Sequence, residues 1–419
     1  MKLPPVHLNA ASAIAFSGGG DSTALLHACR DNPAVTHAFI IDHALRRGSD
    51  VEVMQAANFA RSLGYQVRTQ RWSHGGLSSA IQVKAREYRY AAMGEMCREE
   101  SLEHLITAHT QDDQAETLLM RIDRQTGWRG LAGMPDAAYA PLWPALAGIT
   151  LHRPWLKVSR SDIRAYNKAH NLDYIDDPSN ENRDFTRVRA RQALTADKDL
   201  RHDLLVQQRS ARMRLNQERH NLNVWLERLA HINPHGFIEL SDVPPAELML
   251  HILNVVSGQG GPIDAAKRSR LCAAMAQPKF KAATLAGAWI VKLPRSNGHA
   301  FVCMRDNVAI KGRHDVPEML PLALKKQRLT HWDGRFFCRA KTSNIRVETA
   351  QGHLQKLRQL PEFKMLFELP AEVRPTLPVF FKGTNPIGFG ACETEYVSSV
   401  ASSALRLQGL FQKADCVFI

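Results

Sequence analysis

Six residues near the start of the chain, Ser17-Gly18-Gly19-Gly20-Asp21-Ser22, have the composition of a phosphate-binding loop. Three consecutive glycines let successive backbone N–H groups point at one anion, because no Cβ atom obstructs its approach. Ser17 and Ser22 add hydroxyl donors. A carboxylate is unexpected in an anion site, but Asp21 is explained there if it holds Mg²⁺ that is bound to the same phosphates. The lysine of a Gly-Lys-Ser/Thr P-loop is absent, so transfer of a γ-phosphate is not the expected reaction. The alternative is a structural turn with a capping serine.

A second group of residues combines three carboxylates at helical spacing. If a helix begins near Gln111, Asp112 and Glu116 stand at i and i+4, and Asp113 and Glu116 stand at i and i+3. Like charges packed on one face repel each other unless a cation compensates them. The pattern therefore indicates a site for Mg²⁺ or for the ammonium group of a substrate. The alternative is an acidic first turn that complements the helix dipole, which accounts for the aspartates better than for the glutamate.

Two groups of arginines have spacings that suit phosphate binding. Arg86 and Arg89 are three residues apart in the helical run Lys84–Tyr90, so they share one helix face. Such a pair clamps phosphates or forms a solvated face with Glu87 and Glu95, and composition alone favours the solvated face. The second group comprises Arg183, Arg187, Arg189 and Arg191. Its spacing suits an RNA backbone, but as an isolated signal it does not separate RNA binding from a basic surface.

The elements that must position these residues alternate between strands and helices. Strands are predicted at Ala11–Phe16, Ala38–Asp42, Gln66–Arg71 and His104–Ala108, and helices at Ser22–Arg30, Val51–Leu63 and Ala80–Glu100. This alternation predicts a Rossmann-like α/β domain with a doubly wound parallel sheet. Ligands of such sheets bind at the C-terminal ends of strands, where the glycine loop, Asp42–Arg46 and His109–Glu116 lie. These stretches should converge, and His43 and His109 should have polar roles there.

The second half of the chain differs in charge from the first. Residues 1–200 carry 24 Lys and Arg against 23 Asp and Glu, whereas residues 201–419 carry 30 against 18, within a net charge of +13. This asymmetry indicates a polyanion partner for the second half or a basic surface that aids solubility. We predict an α/β domain over residues 1–205, a helical domain over 206–315 and a small α+β domain over 316–419. The last contains the strand-like runs Arg335–Arg339 and Leu377–Phe381 and the basic cluster Lys325-Lys326-Gln327-Arg328.

Composition also excludes several classes of protein. Hydrophobic residues make up 44% of the chain and charged residues 23%, so neither a disordered nor a fibrous chain is indicated. The seven cysteines are scattered and form no Cys-x-x-Cys pair, which disfavours a disulfide framework or a zinc knuckle. No apolar stretch approaches bilayer-spanning length and no cleavage signal follows Met1. A cytoplasmic protein without membrane association is therefore predicted.

Taken together, these motifs resemble those of the N-type ATP pyrophosphatases, or PP-loop superfamily, whose Ser-Gly-Gly-x-Asp-Ser loop binds the ATP triphosphate. Within the superfamily the chain is similar to the tRNA(Ile)-lysidine synthetase family. The similarity rests on six linked motifs, which are together far more specific than a lone glycine loop. They are Ser17–Ser22, Ile41–Arg46, Lys84–Tyr90, Thr107–Thr117, Gly127–Met134 and Asp176–Asn180.

The resemblance implies a two-step reaction at the wobble cytidine of an isoleucine tRNA with a CAU anticodon. ATP adenylates the C2 oxygen with loss of pyrophosphate, and the ε-amine of L-lysine then attacks C2 and expels AMP. The implied substrates are ATP with Mg²⁺, L-lysine and tRNA(Ile). The motifs suit this chemistry, because the glycine loop and a metal at Asp21 would stabilise the departing pyrophosphate. The wobble base would be flipped from the anticodon stack to reach the site.

The resemblance also implies roles for individual residues. The ATP site comprises Ser17, Gly18, Gly19, Gly20, Asp21 and Ser22. L-Lysine is expected at Asp113 and Glu116, and the metal at Asp21 and Asp112, although Asp112 has a structural role as its alternative. The expected catalytic residues are Asp21, Asp113, Glu116 and His43, with a carboxylate or His43 as acceptor of the amine proton. Contacts with RNA or phosphate are expected from Arg86, Arg89, Arg129, Arg187 and Arg189, and residues 201–419 are expected to grip the tRNA.

Two other interpretations stay open on the sequence. The first is thiolation of tRNA by a PP-loop enzyme, which the lack of a Cys-x-x-Cys pair disfavours because related thiolases usually use paired cysteines for sulfur or an iron–sulfur cluster. The second is a non-catalytic tRNA-binding protein with a degenerate ATP fold. The intact glycine loop and the three carboxylates argue against it.

Overall fold

The computed structural model describes residues 3–45, 48–75, 81–175, 186–296, 298–312 and 318–411. The chain forms two compact units, Met1–Glu218 and Arg219–Gln412. The three-domain division stays a prediction. The predicted motif Asp176–Asn180, Arg46, Arg183 and the predicted boundary at residue 316 lie outside the described residues.

The N-terminal unit is built around one six-stranded sheet. Its strands are β1 Ser12–Ala15, β2 Val35–Asp42, β3 Gln66–Arg71, β4 His104–Ile106, β5 Ala137–Tyr139 and β6 Thr150–His152. Its helices are α1 Gly20–Ala28, α2 Ser49–Ser62, α3 Ile81–Glu99, α4 Gln111–Asp123, α5 Arg160–Ala169, α6 Thr186–Ala196 and the first part of α7 Lys198–Leu229. The order is β3-β2-β1-β4-β6-β5, and every neighbouring pair is parallel except β5 with β6. The predicted Rossmann-like parallel sheet is confirmed.

Helices cover both faces of this sheet, which explains why the central strands β1 and β2 are buried along most of their length. Ile14, Ile40 and Ile106 pack on one face, in a core shared with α1, α2 and α5. Phe39 and Leu105 pack on the other face, in a core shared with α3. Because neighbouring strand residues point to opposite faces, each strand contributes to both cores. The cores fix the carboxyl ends of β1, β2 and β4 at one edge, where the predicted site residues follow.

The C-terminal unit holds three antiparallel sheets and short helices. Its strands are β7 Ala230–Ile232, β8 Ile238–Leu240, β9 Ala282–Leu285, β10 Ala288–Arg295, β11 Gly298–Arg305, β12 Leu322–Leu324, β13 Leu329–Trp332, β14 Phe336–Ala340, β15 Ile345–Thr349, β16 Pro378–Lys382, β17 Asn385–Phe389, β18 Cys392–Glu393 and β19 Val397–Ala401. Its helices are α8 Ala246–Ser257, α9 Ala265–Met275, α10 Asn307–Lys311, α11 Leu354–Leu357, α12 Lys364–Glu368 and α13 Ser403–Phe411. The sheet orders are β7-β8-β11-β10-β9, β12-β15-β16-β17 and β13-β14-β19-β18.

One region of this unit differs from its prediction. Residues 206–315 were expected to be helical, but they contain the five-stranded sheet of β7 to β11 beside the helices. The longest pair, β10 and β11, is an antiparallel ladder from Ala288 opposite Arg305 to Arg295 opposite Gly298. The predicted helical domain is thus a mixed region of helices and strands.

Candidate active site

The glycine loop joins β1 to α1, as predicted. Gly19 is the N-cap of α1, and no side chain caps the N–H groups of its first turn. The Ser22 hydroxyl donates to the Gly19 carbonyl oxygen at 2.9 Å and lies 3.1 Å from the Ser17 hydroxyl. The two serines therefore fasten the loop from within. A helix start without a side-chain cap, behind a glycine-rich turn, has the geometry that accepts a phosphate.

Gly18 is the position in this loop that requires glycine. Its φ is +78°, and a Cβ atom there would lie 2.7 Å from Cδ1 of Ile175. The Ile175 N–H also donates to the Gly18 carbonyl oxygen at 2.9 Å. The segment that follows α5 is thus packed directly on the loop. Any larger residue at position 18 would be strained by its backbone and by this contact.

The three predicted carboxylates lie in the first two turns of α4. Thr110 is the N-cap, and Asp113 accepts from the Thr110 N–H at 2.7 Å and from its hydroxyl at 2.8 Å through the same oxygen, Oδ2. This capping box leaves Oδ1 of Asp113 for other partners. Glu116 has only 1% of its side chain exposed. Asp113 and Glu116 are therefore buried acids that need compensating cations.

Arg160, the first residue of α5, contacts all four predicted acids. Its guanidinium lies 3.0 Å from Asp113, 3.2 Å from Glu116 and 3.5 Å from Asp21. Its backbone N–H donates to Oδ2 of Asp112 at 2.7 Å. One side chain thus links the aspartate of the glycine loop to the carboxylates of α4. Two of the three stretches that were predicted to converge, the glycine loop and His109–Glu116, thus meet at Arg160.

Two arginines of α6 complete the cluster around the buried acids. Arg187 donates to Oδ1 of Asp113 and to Oε2 of Glu116, both at 2.7 Å. Arg191 donates to Oε1 of Glu116 at 2.9 Å. We call Asp113, Glu116, Arg160, Arg187 and Arg191 the acid–arginine cluster. The sequence predicted that Mg²⁺ or an ammonium group compensates these acids. In the structure, the three arginines provide the compensating positive charge.

The ionisation of the acids follows from this arrangement. Burial would raise the pKa of Asp113, but Arg187 and Arg160 outweigh it and lower the pKa below its usual value. Burial raises the pKa of Asp21 to about 6, against the opposing charge of Arg160. Asp113 is therefore ionised at neutral pH. Asp21 is a poorly solvated carboxylate whose ionised form an additional cation would stabilise.

Of the other predicted residues, His43 directly follows β2, and Arg86 and Arg89 lie on α3. Burial lowers the pKa of His43 and the charge of Arg89 lowers it further, so its imidazole is neutral. His43 Nδ1 is buried and has no hydrogen-bond partner among the described residues. The guanidinium carbons of Arg86 and Arg89 lie 4.9 and 5.3 Å from the ring centre of Tyr90. A neutral imidazole with an unpaired nitrogen fits the role of proton acceptor that was predicted for His43.

His109 is the second histidine expected to have a polar role at a strand end. Burial lowers its pKa to about 3, and its Nδ1 lies 2.8 Å from the Thr107 hydroxyl. The ring is therefore neutral at physiological pH. It is a hydrogen-bonding group in the loop before α4.

Arg129 and Arg189 were also predicted to contact RNA or phosphate. Arg129 donates to both carboxylate oxygens of Glu218, at 2.9 Å in the case of Nε. The ring of Trp128 has the guanidinium carbons of Arg129 and Arg214 at 5.0 and 4.0 Å from its centre. Arg189 is exposed on α6. These two arginines lie outside the acid–arginine cluster as we define it, and their RNA contacts stay predictions.

The predicted magnesium site was tested against the donors that are present. Within the described ranges, no group of three or more histidine, cysteine or acidic side chains is placed to hold a metal. Magnesium needs only one or two carboxylates beside phosphates and water, so Asp21, next to the glycine loop, fits. Asp112 is already bonded to the Arg160 N–H and lies 3.2 Å from Arg201, so it fits less well. Its role as a metal ligand stays a prediction.

Sequence reasoning missed Arg160 and did not connect Arg191 to the carboxylates. A signal for Arg160 was present, because it follows Ser159, the N-cap of α5, in the connection after β6. Applying the strand-end rule to β6 would have included it. Asn167 was also missed: it is buried and donates to the Gly20 carbonyl oxygen at 2.9 Å. Asn167 therefore stabilises the glycine loop from α5. The sequence gives no signal for this contact, because it depends on the packing of α5 against α1.

Comparisons with known proteins show which family this chain resembles. Residues 6–198 match a family model described as the PP-loop domain. The chain is 27% identical over 398 residues to the tRNA(Ile)-lysidine synthase of Wolbachia pipientis wMel, which covers 90% of this chain and 88% of that relative. It is 37% identical over 196 residues to the tRNA(Ile)-lysidine synthase of Hyphomonas neptunium, covering 46% and 53% of the two chains. A solved structure, the U34-tRNA thiolase NcsA from Methanococcus maripaludis, is similar with a TM-score of 0.41 and 15% identity over 49% of this chain and 72% of that one, too distantly to bear on the reaction.

Proposed function

We propose, from the premise that this chain is a PP-loop enzyme of tRNA modification, that it ligates L-lysine to C2 of the wobble cytidine of tRNA(Ile) with a CAU anticodon. The PP-loop domain predicted from the motifs is confirmed by the family match over residues 6–198. One observation carries the proposal further: Arg160 joins the aspartate of the glycine loop to the buried acids Asp113 and Glu116. The residues that we propose for the phosphate site and for the cation site therefore share one edge of one sheet. ATP and an amine are the substrates that such a pair of sites suits.

In the first step, the C2 oxygen of the cytidine bonds to the α-phosphorus of ATP, and the bond to pyrophosphate breaks. The glycine loop Ser17–Ser22 would receive the phosphates on its N–H and hydroxyl groups. Magnesium, when bound, would neutralise the charge that develops on the leaving pyrophosphate, and Asp21 is placed to hold it. The contribution of the chain is to position the α-phosphorus and to stabilise the leaving group.

In the second step, the ε-amine of lysine bonds to C2 and AMP leaves with the C2 oxygen. The nucleophile must be a neutral amine, so a group at the site must accept its proton. His43 is neutral with an unpaired Nδ1 and is our choice for that role. Asp113 and Glu116 would bind the other, cationic end of the amino acid. The product is lysidine, with AMP and pyrophosphate released.

The tRNA is proposed to contact both units. Arg86, Arg89, Arg129, Arg187 and Arg189 would meet phosphates near the flipped base. Residues 201–419, which carry 30 Lys and Arg against 18 Asp and Glu, would grip the rest of the tRNA. None of the helices in the described part of the chain has the length and apolar composition that a bilayer-spanning segment needs. A cytoplasmic location is proposed on the basis of the tRNA substrate.

Mass analysis of tRNA nucleosides tests this proposal directly. The full chain is incubated with ATP, Mg²⁺, L-lysine and an unmodified tRNA(Ile) transcript with a CAU anticodon. We expect lysidine, with release of AMP and pyrophosphate that depends on both lysine and tRNA. A transcript with a GAU anticodon, whose wobble base is guanosine, is the matched control. Pyrophosphate release that needs tRNA but ignores lysine would contradict the proposal.

The same experiment separates the two rival functions. A thiolase would add sulfur to the tRNA, but Cys29 and Cys97 of the N-terminal unit are buried, and burial raises the pKa of each thiol to about 12. Such thiols are poor nucleophiles at neutral pH. Unchanged ATP in the presence of lysine and the correct tRNA would instead support a non-catalytic tRNA-binding protein.

A further inference from the structure

The oxygens that a cationic substrate needs are already bonded to arginines. Oδ2 of Asp113 serves the Thr110 cap, and Oδ1 accepts from Arg160 at 3.0 Å and from Arg187 at 2.7 Å. Oε2 of Glu116 accepts from Arg187, and Oε1 accepts from Arg160 and Arg191. An incoming ammonium group would meet acids whose charge is compensated. It can bind strongly only if an arginine withdraws.

The three arginines differ in how firmly they are held. Arg160 has 16% of its side chain exposed, and its backbone N–H is fixed by Asp112. Arg187 and Arg191 have 39% and 35% exposed. They stand at i and i+4 on α6, so they reach the acids from one helix face. Because Arg187 and Arg191 reach solvent more than Arg160 does, they are the two able to leave, provided that the incoming ammonium group replaces their charge beside the buried acids.

A second group of basic side chains, which includes Arg86 and Arg89, provides a candidate place for RNA phosphate. The guanidinium carbons of Arg86 and Arg89 lie 4.9 and 5.3 Å from the ring centre of Tyr90, so these two cations are close together. Burial lowers the pKa of Arg89, and the charge of Arg187 lowers it further, which agrees with a place for Arg187 near this pair. Burial lowers the pKa of His109, and the charges of Arg153, Arg187 and Arg86 lower it further. Positive groups packed in this way attract a phosphate. An RNA phosphate at this place would compete with Asp113 and Glu116 for Arg187.

We propose that Arg187 and Arg191 occupy the amine site in the RNA-free protein and move to RNA phosphate when tRNA binds, so that lysine binds after tRNA. This inference rests on the proposed function, because it takes Asp113 and Glu116 as the lysine site. Arg160 stays in place and holds the acids in position. In this order the amine is admitted only when its acceptor is present.

The test is the affinity of the full-length, RNA-free protein for radiolabelled L-lysine, measured by equilibrium dialysis. In the double variant Arg187→Gln/Arg191→Gln the acids lose two competing cations, so we expect lysine to bind at least ~10-fold more tightly than in the wild type. Arg164→Gln is the control, because it removes the same charge from an exposed position on α5 that has no part in the proposed sites. It should leave lysine affinity unchanged. A structural disturbance would weaken binding, so a gain isolates the proposed competition.

Equal or weaker lysine binding by the double variant would overturn the inference. If the double variant does not fold, the wild type decides: an anticodon stem-loop of tRNA(Ile) should tighten lysine binding by ~10-fold, and no change would overturn it. Nucleoside analysis of the wild type keeps the two proposals apart. Lysidine formation without these affinity changes overturns the order of binding alone, whereas absence of lysidine overturns the proposed function.

Discussion

Each unit of the chain contains a cluster of arginines around buried acid, and the two clusters are built differently. In the N-terminal unit, Arg187 and Arg191 are more than a third exposed where they meet Glu116. In the C-terminal unit, Asp333 lies between Arg305 and Arg335, and all three side chains are at most 8% exposed. The arginines of the second cluster also donate to backbone carbonyl oxygens, Arg305 to Gly287 at 3.3 Å and Arg335 to Thr376.

This is the difference that we expect between a structural ion-pair cluster and the ligand site that we propose. A fully buried cluster tied to the backbone cannot exchange its partners without unfolding part of the core. A cluster whose outer cations reach solvent can exchange them for a substrate. The same residue types therefore predict opposite consequences when one acid is neutralised: loss of stability in the C-terminal unit and loss of activity in the N-terminal unit.

The largest effect is expected for Asp333→Asn. It leaves two buried guanidinium groups without their shared counter-ion, which should lower the free energy of unfolding by about 3–5 kcal/mol. Urea denaturation followed by circular dichroism measures this. Glu239→Gln is the control, because its pair with Arg295 at 3.0 Å is partly exposed and should cost under about 1 kcal/mol. Equal costs for the two variants would show that the buried cluster has no special structural role.

Asp113→Asn should affect activity far more than stability. It removes the charge that faces Arg160 and Arg187, and we expect lysidine formation to fall by roughly 10²–10³ with little loss of tRNA affinity. Asp162→Asn is a matched control, because Asp162 holds the same position in the exposed first turn of α5, where it accepts from the Ser159 hydroxyl at 2.6 Å. Turnover and tRNA binding are measured for both variants. Similar losses of turnover would indicate that Asp113 acts only as a helix cap.

The sequence predicted the N-terminal unit well because its signals are local. Strand β3 has the predicted bounds, and the acids of α4 follow from spacing within one helix. Arg160 was missed because its contacts join positions about 50 to 140 residues apart in the chain, and no periodicity records such contacts. The strands within residues 206–315 were missed because helical spacing in 201–230 was extended too far. In general, the spacing of residues in the sequence identified the candidate carboxylates. Tertiary packing determined which arginines contact them.

Neutralising Lys325, Lys326 and Arg328 should weaken tRNA binding without altering the acid–arginine cluster. Lys325 and Lys326 are exposed, so they are available to phosphate. Removal of up to three cations that meet phosphate should weaken binding and flatten the dependence of log K on log salt by roughly 0.9 for each phosphate that is no longer neutralised. Filter binding at several salt concentrations measures both quantities. An unchanged salt slope would show that Lys325, Lys326 and Arg328 do not contact tRNA phosphates. The basic charge of the second half would then not be explained by these three residues binding tRNA.

The smallest expected effect is on stability at low pH. It tests ionisable groups of the N-terminal unit that lie outside the acid–arginine cluster. Burial lowers the pKa of His152 to about 4, and its Nε2 lies 2.8 Å from Nδ1 of His104. The unfolded chain then binds more protons than the folded chain from about pH 6.5 down to that value, so stability falls as pH falls through this window. His152→Gln should reduce the slope of the unfolding free energy between pH 6.5 and 5.5 by at most about 1.4 kcal/mol per pH unit. Urea unfolding across this range measures the slope, and the exposed His7→Gln should leave it unchanged. An undiminished slope in His152→Gln would mean that other groups of the chain set its response to acid.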